Sequence, residues 1–129
     1  MKKLYVWLFV FFAIGQVIGQ TTYYSKSVAT NFNDVASWGD VADGSGASPG
    51  SISSADNFII ANGAILSLSG DATVRNLTIN GGSLTVSANT LTVEIPAQKN
   101  ASFTVNTGGA FIISGGTLNV NGNVYFADA

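Results

Sequence analysis

The stretch that decides the fold is Leu77-Thr78-Ile79-Asn80-Gly81-Gly82-Ser83-Leu84-Thr85-Val86-Ser87-Ala88-Asn89-Thr90-Leu91-Thr92-Val93. It contains three apolar–polar–apolar triplets, Leu77-Thr78-Ile79, Leu84-Thr85-Val86 and Leu91-Thr92-Val93, whose leading leucines are seven residues apart. Alternation with period two is the mark of a half-buried strand, and β-branched Thr, Val and Ile suit that state. Gly and Asn separate the triplets, and both tolerate the positive φ that tight corners need. Three faces of seven residues make a coil of about 21, a fixed-period self-similarity that points to a β-solenoid.

The pattern extends in both directions. Upstream lie Phe58-Ile59-Ile60 and Ile65-Leu66-Ser67-Leu68. Downstream lie Phe103-Thr104-Val105, Phe111-Ile112-Ile113, Leu118-Asn119-Val120 and Val124-Tyr125-Phe126. Phe103, Phe111 and Leu118 are eight and seven apart. The expected fold is all-β: a short right-handed parallel β-helix of about three coils over residues 58–129, with an irregular N-terminal cap over 20–57. Leu, Val, Ile and Phe of the runs fill its lumen, and Thr78, Thr85, Thr92 and Thr104 face out. Asn80, Asn106 and Asn121 take matching corners and are expected to hydrogen-bond along the axis. The competing architecture is an antiparallel β-sandwich, for which Asn80-Gly81 is a hairpin signal. Sandwich turns recur every 8–12 residues, longer than this spacing.

Residues 1–19 read as an export signal. Lys2 and Lys3 precede an eleven-residue apolar run (4–14, LYVWLFVFFAI), and Val17 and Gly19 suit a cut before Gln20. The run is shorter than the roughly 20 apolar residues of a membrane span, so no span is expected after cleavage. The absence of Cys excludes a lipoprotein anchor. The expected location is extracellular or at the cell surface.

Composition removes several function classes. The 129 residues include no His and no Cys, so imidazole and thiol catalysis, His or Cys metal ligation and disulfides are excluded. Charged residues make up 9% of the chain, which does not fit a nucleic-acid binder. From Thr21 to Ala129, Gly, Asn, Ser and Thr contribute 50 of 109 residues, yet the regular placement of apolar residues argues against disorder.

The arrangement Trp38-Gly39, Pro49, Asp56-Asn57-Phe58-Ile59-Ile60-Ala61-Asn62-Gly63 and then Leu77 to Val86 resembles the N-terminal β-helix modules of large secreted proteins of Bacteroidetes-type bacteria. Many of those end in a type IX secretion sorting domain. The resemblance covers most of residues 23–93 and implies a non-catalytic surface or adhesin-like module, with no catalytic residue to carry over. The long C-terminal region of that family is missing, and no polar cap follows Val124-Tyr125-Phe126, so the chain reads as truncated at its C-terminus.

Candidate sites are few. Asp40 and Asp43 offer carboxylates for calcium, although their spacing matches neither an EF-hand nor the Gly-Gly-x-Gly-x-Asp repeat. A solvated Asx turn is the simpler account. Tyr23, Tyr24 and Trp38 offer rings that could stack on sugars, against the simpler role of cap packing. Residues 94–100 (EIPAQKN) break the seven-residue rhythm and are expected to loop out. Arg75 is the sole arginine, which supplies poorly the clustered cations of a polysaccharide lyase. No cofactor is expected, and the partners considered are glycans and cell-surface components. A glycan-binding module and a stub of a polysaccharide-degrading β-helix enzyme stand as alternatives to the structural role.

Overall fold

The computed structural model describes residues 19–127, and the export signal read over 1–19 lies, apart from Gly19, outside them. Twelve strands carry the fold: β1 (Thr22–Ser25), β2 (Trp38–Gly39), β3 (Asn57–Ile60), β4 (Ile65–Ser67), β5 (Ala72–Val74), β6 (Asn76–Ile79), β7 (Ser83–Val86), β8 (Thr90–Val93), β9 (Ala101–Val105), β10 (Ala110–Ile113), β11 (Thr117–Val120) and β12 (Gly122–Phe126). A single 3-10 turn, Val35–Ser37, precedes β2.

The strands form three sheets, ordered β12-β9-β6-β3-β1-β2, β10-β7-β4 and β11-β8-β5. Successive strands from β3 onward enter the three sheets in rotation, and each returns beside the strand three places earlier in parallel register. Among these strands, only β1 and β2 pair antiparallel. The antiparallel sandwich is therefore not what forms. The reason lies in the corners. Asn62 (φ 57) and Gly63 (φ 72) both adopt positive φ, and the Ala64 N–H donates to the Ala61 carbonyl at 3.0 Å. This tight turn is one that elsewhere closes hairpins. Here it delivers the chain from β3 into β4, which lies in a different sheet. Gly82 is needed at the next corner up, because a Cβ there would stand 2.8 Å from the Ala64 carbonyl oxygen.

Register converts alternation into columns. Phe58, Leu77, Phe103 and Val124 stack in the six-stranded sheet, and Leu66, Leu84 and Phe111 in the second. In the third, Leu91 lies between Ala72 and Leu118. The seven-residue leucine spacing thus places one leucine in each sheet. Thr78, Thr85, Thr92 and Thr104 take the alternate, half-buried outward positions. Each fully buried Leu, Ile or Phe contributes roughly 1.5–3 kcal/mol by removal of apolar area from water.

Several expectations are corrected. The coil is not a constant 21 residues: the stacked pair Asn57 and Asn76 is 19 apart, and Asn76 and Ser102 are 26 apart. The difference is the insertion 94–100, which loops out with Ile95 tucked into the core and residues 96–100 exposed. Strand β5 went unread because its one large apolar residue is Val74. Ile65 and Ile112 face outward, 71% and 50% exposed, because alternation takes precedence over hydrophobicity along a strand. The axial polar ladder stands at another corner. Asn57 Nδ2 donates to Thr22 Oγ1 (3.3 Å), Asn76 Nδ2 to Asn57 Oδ1 (2.8 Å), and the Ser102 N–H to Asn76 Oδ1 (2.7 Å). Asn80 and Asn106 share a corner, whereas Asn121 follows β11 and stands at a different one.

The N-terminal segment is more regular than its sequence suggests. Strand β1 pairs parallel with β3, and Asn31 makes a parallel bridge to Ser67. Over that partial circuit, Trp38 packs edge-on against Phe58 (centroids 4.9 Å, 76°) and Phe32 (5.2 Å, 80°). All three rings are fully buried. No helix among the described residues is long and apolar enough to cross a membrane.

Candidate functional site

The aromatic candidates separate on inspection. Trp38 is fully buried and its Nε1–H donates to the Phe32 carbonyl at 2.9 Å, so neither ring face is open to a sugar. Tyr23 is half-buried and stacked on Phe58 (5.7 Å, 28°). Tyr24 is half-buried on the outward side of β1, opposite Ile59. The three do not form a common platform: one belongs to the core, one closes it, and one faces out.

Asp40 and Asp43 organise the loop after β2. Asp40 Oδ1 accepts the Ala47 N–H at 2.8 Å, and Asp43 Oδ1 accepts the Ser45 N–H at 2.8 Å. Each carboxylate thus accepts a backbone amide: Asp43 in an Asx turn, Asp40 across the loop seven residues on. The Ser45 side chain and then its N–H hold the Asp43 carboxyl below its ordinary value. A depressed folded-state pKa favours the native loop above the ordinary carboxylate range, and that contribution is lost as the pH falls through the depressed value. Among the described residues no group of three or more acidic side chains could hold a metal ion.

Two of the grooves among the described residues bear on function. The smaller, about 190 Å³, is lined by Lys26, Thr30, Asn31 and Asp34, and the Lys26 ammonium there donates to the Ala36 carbonyl at 2.7 Å. The larger, about 510 Å³, lies beneath the insertion and is lined by Gln20, Ser54, Ala55, Arg75, Ile95, Pro96 and Gln98. Sequence reading singled out the insertion and Arg75 separately, and the fold brings them to one corner. The available signal was that the only arginine and the only break in rhythm occur at the same phase of successive circuits.

The insertion closes on itself. Gln98 N–H donates to the Ile95 carbonyl at 2.9 Å, and Ala97 adopts φ 60. A left-handed conformation costs an L-residue about 1–2 kcal/mol, partly offset for glycine by its greater unfolded-state freedom. Ala97→Gly is therefore expected to raise the melting temperature by about 2–5 °C in a calorimetric scan. A lowered melting temperature would contradict the turn geometry.

The last circuit is the most unusual surface. Strands β10, β11 and β12 are the terminal strands of their sheets. Among the described residues, none forms a further layer over their inward-register residues Phe111, Ile113, Leu118, Val120, Val124 and Phe126. Ile113 is 50% exposed, Val124 47% and Phe126 64%. Phe126 still meets Phe103 edge-on at 6.3 Å and 78°. Unpaired strand edges beside uncovered apolar side chains form a template for further strand addition.

Comparison with known proteins gives no match. No family model, no curated protein and no solved structure aligns with the chain. What the protein does must therefore be argued from its own geometry.

Proposed function

We propose that the chain is a non-catalytic, exported structural module, a right-handed parallel β-solenoid that forms the N-terminal base of a longer extracellular or cell-surface protein. The observation that carries the reading is the polarity of the stack. Its first circuit is sealed by Trp38, Phe32 and Phe58, while its last presents six inward-register apolar residues without a cover among the described residues. Solenoids need capped ends, and a single sealed end suits a module that other coils extend. Right-handedness follows from the preference of parallel crossovers, right-handed in about 98% of cases. The function is geometric: stacked coils about 4.8 Å apart make a stiff spacer that presents corner loops. The likeness to N-terminal modules of Bacteroidetes-type secreted proteins agrees with this role.

The test is to append one designed coil with apolar inward positions and a polar outer end. The parent is expected to bind an apolar-surface dye, and the extended protein to melt higher and to lose that binding. An appended coil that stays unfolded, with dye binding unchanged, would contradict the proposal.

A further inference from the structure

Arg75 occupies the corner between β5 and β6. Its backbone N–H donates to the Asp56 carbonyl one circuit below, at 3.0 Å. One circuit above, the Glu94 N–H donates to the Val74 carbonyl at 2.9 Å, and the insertion begins there. The sole arginine thus lies directly under the one loop that breaks the coil. Its Nε is buried and has no hydrogen-bond partner among the described residues. Buried polar atoms are almost always paired, and a guanidinium N–H left without a partner is costly. The Asp56 carboxylate accepts the Thr21 N–H at 3.1 Å.

The surroundings narrow the chemistry. The groove over Arg75 offers about 510 Å³, room for a ligand the size of one or a few sugar rings. Gln20, Ser54 and Gln98 supply amide and hydroxyl groups able both to donate and to accept. Ala55, Ile95 and Pro96 supply an apolar strip suited to the C–H face of a pyranose. A guanidinium presents a planar fork that matches a carboxylate. Arg75 is the one cationic side chain lining the groove, and cleavage before Gln20 leaves an α-amino group on a second lining residue, so the groove suits one or a few carboxylates and not a long polyanion track. Strand β6 is paired on both sides and β5 on one, so among the strands at this corner only the β5 edge is open to an extended peptide.

We infer that the Arg75 groove binds a hexuronate, a sugar ring carrying one carboxylate, as found in acidic polysaccharides. This site is separate from the open end of the stack and does not depend on the spacer role. The carboxylate takes the Arg75 fork, ring hydroxyls meet Gln98 and Ser54, and the ring face rests on Pro96.

The test uses the chain produced with its own export signal and purified after processing, titrated with D-glucuronate while amide resonances are followed. D-glucose serves as the matched neutral sugar and acetate as the bare carboxylate. Glucuronate is expected to shift the amides of Ser54, Ala97 and Gln98, with glucose and acetate each at least tenfold weaker. Arg75→Gln removes a charge-assisted pair and should weaken glucuronate about tenfold to a hundredfold. Gln98→Ala, on the exposed loop, should weaken glucuronate several-fold without lowering the melting temperature, and it stands in if Arg75→Gln fails to fold. Equal binding of glucose and glucuronate, acetate binding as tightly as glucuronate, or unchanged affinity in Gln98→Ala or in folded Arg75→Gln would each overturn the inference. Failure here leaves the appended-coil test of the structural role untouched.

Discussion

Leu84→Asp is expected to abolish the native fold, while Thr85→Asp, one position along the same strand, is expected to leave it intact. Leu84 is fully buried between Leu66 and Phe111 in the second sheet. A carboxylate placed there has no partner, and burying it, charged or forced neutral, together with losing the leucine's apolar burial, costs several kcal/mol, a large share of the roughly 5–15 kcal/mol that holds a small domain together. Thr85 points the other way, half-buried between Ser67 and Ile112, and its replacement remains in contact with water. Circular dichroism melts of the two variants check this. Leu84→Asp should show no cooperative transition, and Thr85→Asp should melt within a few degrees of the parent. Similar behaviour of the two would refute the alternation on which every column depends.

Trp38→Ala costs about 3–5 kcal/mol, the usual range for removing a large aromatic from a core. The indole fills the space over the first circuit, touching both Phe32 and Phe58, and its loss also leaves the Phe32 carbonyl without its donor. Denaturant titration should show the midpoint falling with little change in slope, since the rest of the stack still unfolds as one unit. A loss under about 1 kcal/mol would mean that the aromatic cluster does not seal the N-terminal end, given the range above.

The strand positions were readable because two requirements coincide in β6, β7 and β8. Each has an apolar–polar–apolar core, and β6 and β7 are followed by the Asn-, Gly- and Ser-containing corners Asn80-Gly81-Gly82 and Ser87-Ala88-Asn89. Burial alternates strictly along all three, so a local pattern specified a non-local arrangement. Strand β5 escaped because Ala72 and Val74 carry too little apolar surface to stand out, although register places them over Leu91 and Val93. Strand β1 escaped for a different reason. Tyr23 and Tyr24 look like one aromatic patch, yet adjacent strand residues face opposite sides, and only Tyr23 reaches Phe58. The asparagine ladder was assigned to the wrong corner because side-chain partnership depends on which sheet an asparagine ends. Asn121 follows a strand of the third sheet, whereas Asn80 and Asn106 follow strands of the first.

The candidate sites were less readable than the fold. Trp38 is suited to sugar stacking in composition alone, and burial decides against it. Arg75 carried no local motif, because its setting is assembled from residues 20, 54–55 and 95–98, which come together only through stacking of successive circuits. Asp40 and Asp43 lie close in sequence, but each turns back to its own loop amides.

The most direct measurement of the central claim is the set of interstrand nuclear Overhauser contacts in the isotopically labelled protein. Parallel rotation through three sheets predicts contacts linking Leu77 to Phe58 and Phe103, and Leu84 to Leu66 and Phe111. Strong Hα–Hα contacts between residues 76–79 and 83–86, the signature of a hairpin across Asn80-Gly81, would contradict it.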